Sequence, residues 1–172
     1  VDNVEEWINQ NIEALTPPLK WTRLEGGHSN LTYQIEDSHG VMAVIRRPPQ
    51  GELLPKAHDM SREWALISAL GSTDVPVPAA YGFCESPDVT GAWFYVMGYI
   101  NGHPLYNSDD THQWLPESER REMAFHFIDV LAALHRVDPD EVGLGDLGKR
   151  DSYVGRQLKT WYRSWTSSAE PA

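Results

Sequence analysis

A chain of 172 residues is long enough for one ordinary domain, or for a small lobe with part of another. With 41% hydrophobic and 23% charged residues its composition is globular rather than disordered or fibrous. Fourteen basic against 25 acidic residues leave a net charge of −11; this argues against a nucleic-acid binder, which needs clustered Lys and Arg, but not against a small anion held in a locally basic pocket.

The single cysteine, Cys84, excludes an internal disulfide framework and a Cys-based metal site. No apolar run approaches the roughly 18 residues of a membrane span, and the acidic opening VDNVEE is unlike a signal peptide. A soluble protein in a reducing, cytoplasmic setting, with no membrane partner, is expected. The chain opens on Val1 and closes on the linker-like SSAEPA, so it reads as a piece of a longer protein.

Apolar residues at Val4, Trp7, Ile8, Ile12 and Leu15 predict a helix over 3–15, capped by Asp2 or Asn3 and stopped by Thr16-Pro17-Pro18. Residues 21–47 change to β-prone runs and read as three antiparallel strands. Gly26-Gly27 make the first turn and Asp37-Ser38-His39-Gly40 the second. Val41 to Ile45 is nearly all apolar, as in a buried strand. Helical period returns over 57–70, with Met60, Trp64, Ile67 and Leu70 on one face and Gly71 as the residue after the helix. Two more strands follow at 79–84 and 93–99, joined through Ser86-Pro87-Asp88 and Gly91. From Leu115 the pattern is helical, with Pro116 at the first helical position and a stripe of Met123, Phe127, Val130, Leu131 and Leu134. A Gly-rich stretch at 143–148 precedes a last helix at 152–165. The fold class is α+β: a five-stranded sheet crossed by one helix, then helices.

Four local features could carry chemistry. Gly26-Gly27-His28-Ser29-Asn30 lies between two strands, where adjacent glycines let backbone N–H groups approach a phosphate. Arg46 ends the buried strand. Glu63 lies among Met60, Trp64 and Ile67 on a helix face, where a carboxylate needs a partner. Phe94 to Gly102 runs from a strand into a turn and would form a flat apolar slot with free backbone groups. Taken singly, each has a plain reading: a hairpin, a surface Arg, a rim Glu, a buried strand. Seven histidines show no metal-ligand spacing, so no metal site is expected in this chain. Cys84, in a core strand, is expected to be an inert buried thiol.

Order and spacing carry more than any single feature. The strings GGHSNLTYQI (26–35), VIRRPPQGELLPKAHDMSREW (44–64), VPVPAAYGFCE (75–85), FYVMGYINGHPL (94–105) and LAALHRVDP (131–139) resemble the aminoglycoside phosphotransferase/choline kinase family, in particular the branch associated with acyl-CoA dehydrogenases. The resemblance implies a protein-kinase-like N-lobe over 1–102, followed by a hinge exit and partial helical C-lobe over 103–172. It implies ATP or GTP and Mg²⁺ as cofactors and a small-molecule hydroxyl as acceptor. Position by position, it makes Gly26, Gly27, His28, Ser29 and Asn30 the loop over the phosphates. Arg46 stands where relatives carry the phosphate-contacting Lys, a task its forked donors also suit. Glu63 becomes the helix acid that orients that base, and Met97 the gatekeeper. The backbone of Gly98 and Ile100 would meet the adenine edge.

The family's catalytic loop, of the H-G-D-x-x-x-x-N kind, and its later metal-binding Asp do not occur in these 172 residues. The base and the Mg²⁺ ligands are therefore expected beyond Ala172, and no catalytic residue is assigned in this chain. Two other classes stay open: a nucleotide-binding module without catalysis (a pseudokinase) and an interaction domain that merely keeps the fold. Trp161, Tyr162 and Trp165 would pack on the missing half or, uncovered, form a homodimer surface.

Overall fold

Val4 and Ile8, four residues apart, put two apolar side chains on one face of a helix. In the computed structural model, which describes residues 2–24, 30–49 and 59–168, that helix is α1 (Asp2–Asn11). It ends four residues before the predicted stop. Ile12, Leu15 and Leu19 are buried all the same, from an irregular segment continuing along the same core. The segment is tied down across the chain: the Thr16 N–H donates to Asp37 Oδ2 at 3.0 Å, and the Thr16 carbonyl accepts from the Ser38 N–H at 3.2 Å.

Five antiparallel strands follow, β1 (Lys20–Leu24), β2 (Leu31–Glu36), β3 (Met42–Arg47), β4 (Ala80–Cys84) and β5 (Phe94–Gly98), in the order β1-β2-β3-β5-β4. The α+β class and the five-stranded sheet predicted from sequence are thus present. Asp37 organises the turn between β2 and β3. Its carboxylate accepts the N–H groups of His39 and Val41, each at 2.8 Å, as well as that of Thr16, and Gly40 supplies φ +82°. Burial alone would push this carboxyl upward, but the three N–H donors outweigh it and hold the pKa below the ordinary 3.8.

Alternation sorts the sheet into two faces. On one, Ile35, Ala43, Ile45, Phe94, Val96 and Cys84 pack on Val4, Ile8 and Ile12. Trp7 meets Phe94 edge-on at 5.0 Å. Gly82 lies under this contact; a Cβ there would sit 3.1 Å from the Trp7 ring and 3.2 Å from Ile12. Cys84 is buried with a free thiol, as expected, and burial raises its pKa.

The opposite face meets α2 (Met60–Leu70). Trp64 stacks on Phe83 at 5.9 Å and tilts against Tyr95 at 6.2 Å. Asp59 caps this helix, accepting the Arg62 N–H at 3.1 Å. Residues 57–58, where the predicted helix began, lie outside the described residues. Gly71 follows its last residue, as read from the sequence, in a right-handed rather than a left-handed conformation (φ −61°, ψ −18°). The last turn instead tightens through Thr73, whose N–H and hydroxyl both donate to the Leu70 carbonyl.

Four more helices complete the described chain: α3 (Pro87–Thr90), α4 (Ser108–Trp114), α5 (Glu117–Arg136) and α6 (Tyr153–Ser168). α4 was not predicted. It has no apolar period, and forms behind Asn107, whose side chain accepts the N–H groups of Asp109 and Asp110. Pro116 is the cap of α5 rather than its first residue. The stripe on α5 is real as a pattern, but α5 and α6 bury none of their described side chains; Phe127, Leu158, Trp161 and Trp165 are each more than three-fifths exposed. Among the described residues no helix is long and apolar enough to cross a membrane.

Candidate functional site

β3 presents its residues alternately to the two sheet faces, so Ala43 and Ile45 enter the α1 core while Arg46 emerges on the α2 side. Register fixes its neighbours. Thr32 on β2 and Tyr95 on β5 stand directly opposite Arg46, forming one row across three strands. Glu63, in the first turn of α2, reaches down onto that row.

The Glu63 carboxylate is held by three groups. Oε2 lies 2.8 Å from Arg46 Nε and accepts the Tyr95 hydroxyl at 2.8 Å. Oε1 accepts the Asn30 amide at 3.0 Å. The approach of Arg46 is a charge contact rather than an aligned hydrogen bond, because its buried Nε–H has no properly directed acceptor. The Arg46 and Glu63 side chains are each about one-third exposed, at 32% and 34%. The ion pair therefore has one side against the sheet and one side open. Tyr95, by contrast, is 2% exposed. Burial raises its pKa far above that of an ordinary phenol, and the adjoining Glu63 carboxylate adds to the rise while Arg46 opposes it.

Next to this row β3 and β5 continue to pair toward the exit of β5. Val44, 5% exposed, pairs with Met97, and Ala43 pairs with Gly98. The Gly98 N–H is spent on the Ala79 carbonyl at 2.8 Å, and the Tyr99 N–H on the Met42 carbonyl at 3.4 Å. Beyond them Ile100, 63% exposed, makes no hydrogen bond among the described residues. A planar heterocycle entering here would find the Ile100 N–H free to donate. From Gly98 only the carbonyl could serve.

Of the residues singled out in the sequence, the structure brings Asn30, Arg46 and Glu63 into direct contact and puts Met97, Gly98 and Ile100 along the neighbouring strand and its exit. Gly26, Gly27, His28 and Ser29 lie outside the described residues, as does most of the GELLPKAHD string. The Asn30 side chain, at the end of the expected phosphate loop, holds Glu63. Tyr95 was missed. The signal was present, since a tyrosine directly opposite a strand-end Arg shares its face, but strand pairing has to be known first. Among the described residues no three His, Cys, Asp or Glu side chains cluster as a metal site would require.

Comparison with known proteins gives the chain a family and a fold relative. The sequence profile of the phosphotransferase enzyme family (APH) matches residues 20–172. Mouse acyl-CoA dehydrogenase family member 10 is 34% identical over 160 residues, covering 91% of this chain and 15% of the mouse protein. Human acyl-CoA dehydrogenase family member 11 is 30% identical over 171 residues, covering 97% of this chain and 22% of its own length. A crystal structure from Ralstonia eutropha JMP134, provisionally assigned as an aminoglycoside phosphotransferase, superposes with a TM-score of 0.77 at 32% identity, over 99% of this chain and 48% of that one. The chain thus spans less than a quarter of these curated relatives and about half of the solved neighbour.

Proposed function

Because the chain belongs to the phosphotransferase enzyme family, we propose that it is the nucleotide-binding part of an ATP-dependent kinase acting on a small-molecule hydroxyl. The observation that carries this reading is the Arg46–Glu63 pair, 2.8 Å apart, closed on one side by the sheet and open on the other. An isolated pair of this kind is a poor stabilising device, since an exposed ion pair contributes little. A guanidinium held by charge, without a directed bond at Nε, is suited to offering its donors to an anion.

The residues present suit the nucleotide, and the metal that accompanies it would be held elsewhere. Arg46 would contact the α- and β-phosphates, Glu63 would orient Arg46, and the loop at residues 26–30 would lie over the phosphates. Val44 and Met97 would flank the adenine, whose edge would meet the Gly98 carbonyl and the Ile100 N–H. The bound nucleotide supplies the γ-phosphoryl group. What this chain contributes is positioning and charge neutralisation, the larger part of catalysis in phosphoryl transfer. The acceptor-orienting Asp and the Mg²⁺ ligands belong, on this reading, to sequence beyond these 172 residues, which contain no His-Gly-Asp loop. The same observation favours a second reading for this chain taken alone: nucleotide binding without transfer.

Thermal melting with increasing MgATP tests the proposal, because a ligand that binds only the folded state raises Tm by mass action. Wild type should shift and Arg46→Ala should not. No shift in wild type at millimolar MgATP would refute nucleotide binding and leave an interaction domain that keeps the fold.

A further inference from the structure

We propose that Tyr95 is a positioning residue of this site, whose hydroxyl orients the Glu63 carboxylate so that Arg46 stays available to phosphate. The inference rests on the reading that the site binds MgATP.

The geometry is specific. Glu63 offers two oxygens to three partners. Tyr95 and Arg46 share Oε2, both at 2.8 Å, while Asn30 takes Oε1 at 3.0 Å. The side chain of Tyr95 has little freedom: it is 2% exposed, in register with Arg46, and packed against Trp64 on α2. Trp64 is in turn stacked on Phe83. The phenol is thus a rigid donor fixed to the sheet, and its target is the one carboxylate that α2 contributes. Tyr95 and Arg46 meet the same oxygen, and the directed bond there is the one from the Tyr95 hydroxyl. Arg46 Nε has none. The consequence is a carboxylate pinned in place and a guanidinium attracted to it without being captured.

Two other ways of ordering Glu63 are weaker here. The side chain is one-third exposed, so packing alone does not fix its rotamer. Asn30 holds the other oxygen, but it ends the loop over the expected phosphate position, whereas Tyr95 belongs to the sheet. Tyr95 therefore sets the resting orientation, and Asn30 links that orientation to the loop.

The test is MgATP affinity by calorimetry, with the melting temperature of the nucleotide-free protein alongside, on the full chain. Wild type, Tyr95→Phe, Glu63→Ala and the double variant are compared. Phe keeps the ring against Trp64 and removes only the donor. Tyr95→Phe should weaken MgATP about five- to tenfold, a share of the worth of one hydrogen bond to a charged group. In the Glu63→Ala background the same change should leave affinity unaltered, since there is no carboxylate to orient. A merely structural tyrosine would lower Tm and leave the affinity of the folded protein as it was; that result overturns the inference while nucleotide binding stands. An undiminished effect in the Glu63→Ala background overturns it too, by showing that the hydroxyl acts elsewhere. Absence of binding by wild type overturns the inference together with the reading beneath it. Should Tyr95→Phe fail to fold, Tyr95→His with Asn30→Ala decides the matter: affinity losses that vanish without Glu63 support a shared carboxylate, and losses that persist refute it.

Discussion

Removing the Glu63 side chain is the most informative single perturbation. Glu63→Ala leaves the Tyr95 hydroxyl, in a residue 2% exposed, without its acceptor. A buried hydroxyl left unpaired costs about 1–3 kcal/mol. The Arg46 contact adds less, because both side chains are about one-third exposed and water screens the pair, so about 0.2–1 kcal/mol is appropriate. The amide of Asn30 loses an acceptor at 3.0 Å, worth about 1 kcal/mol at most. A total of roughly 2–4 kcal/mol follows, which for a chain of this length lowers Tm by about 5–15 °C. The assay is thermal unfolding followed by circular dichroism. The double variant Glu63→Ala/Tyr95→Phe should recover about 1 kcal/mol or more, since the stranded hydroxyl is gone. A Glu63→Ala protein that melts within about 1 °C of wild type would refute the reasoning, because no buried donor could then depend on this carboxylate. A double variant less stable than Glu63→Ala would refute the assignment of that donor to Tyr95.

Three further outcomes are expected. Gly82→Ala should destabilise by about 1–3 kcal/mol, measured by urea unfolding, because its Cβ would press on Trp7 and Ile12 at the centre of the α1 core. Acid should unfold the protein partly through Asp37, whose folded pKa lies below the ordinary 3.8; the stability it contributes is present above about pH 4 and lost as pH falls through the lowered value. Tm measured from pH 5 to pH 2 should accordingly fall less steeply for Asp37→Asn than for wild type. The exposed stripe of α6 should make the 172-residue chain self-associate, and Leu158→Lys with Trp161→Lys should shift sedimentation toward the monomer.

Much of the fold was legible without coordinates. Strands were readable because their apolar residues alternate or run together and because glycine, proline and aspartate mark the turns. The pairing of Arg46 with Glu63 was legible only through family resemblance, since 17 positions separate them along the chain. Local pattern failed where local pattern does not decide. The end of α1 at Asn11 is set by Thr16 being fastened to Asp37, a contact 21 residues away. α4 forms on a polar segment because Asn107 satisfies its first N–H groups. The exposure of α5 was invisible as well, whereas that of Trp161, Tyr162 and Trp165 on α6 was one of the two outcomes the sequence left open: an apolar stripe states that a face needs burial, not that anything in the same 172 residues supplies it.

The sequence by itself determined the α+β class, the order of the strands along the chain and which residue types could meet a phosphate, because these follow from periodicity, turn chemistry and side-chain functional groups. Only the tertiary structure decided that β5 lies beside β3, and hence that Tyr95 faces Arg46 and closes on Glu63. The physical reason is that a strand's side-chain period of two is local, while register is set by pairing between segments far apart in sequence; β3 and β5 lie some 50 residues apart, and their alignment alone puts a buried hydroxyl on the carboxylate that orients Arg46.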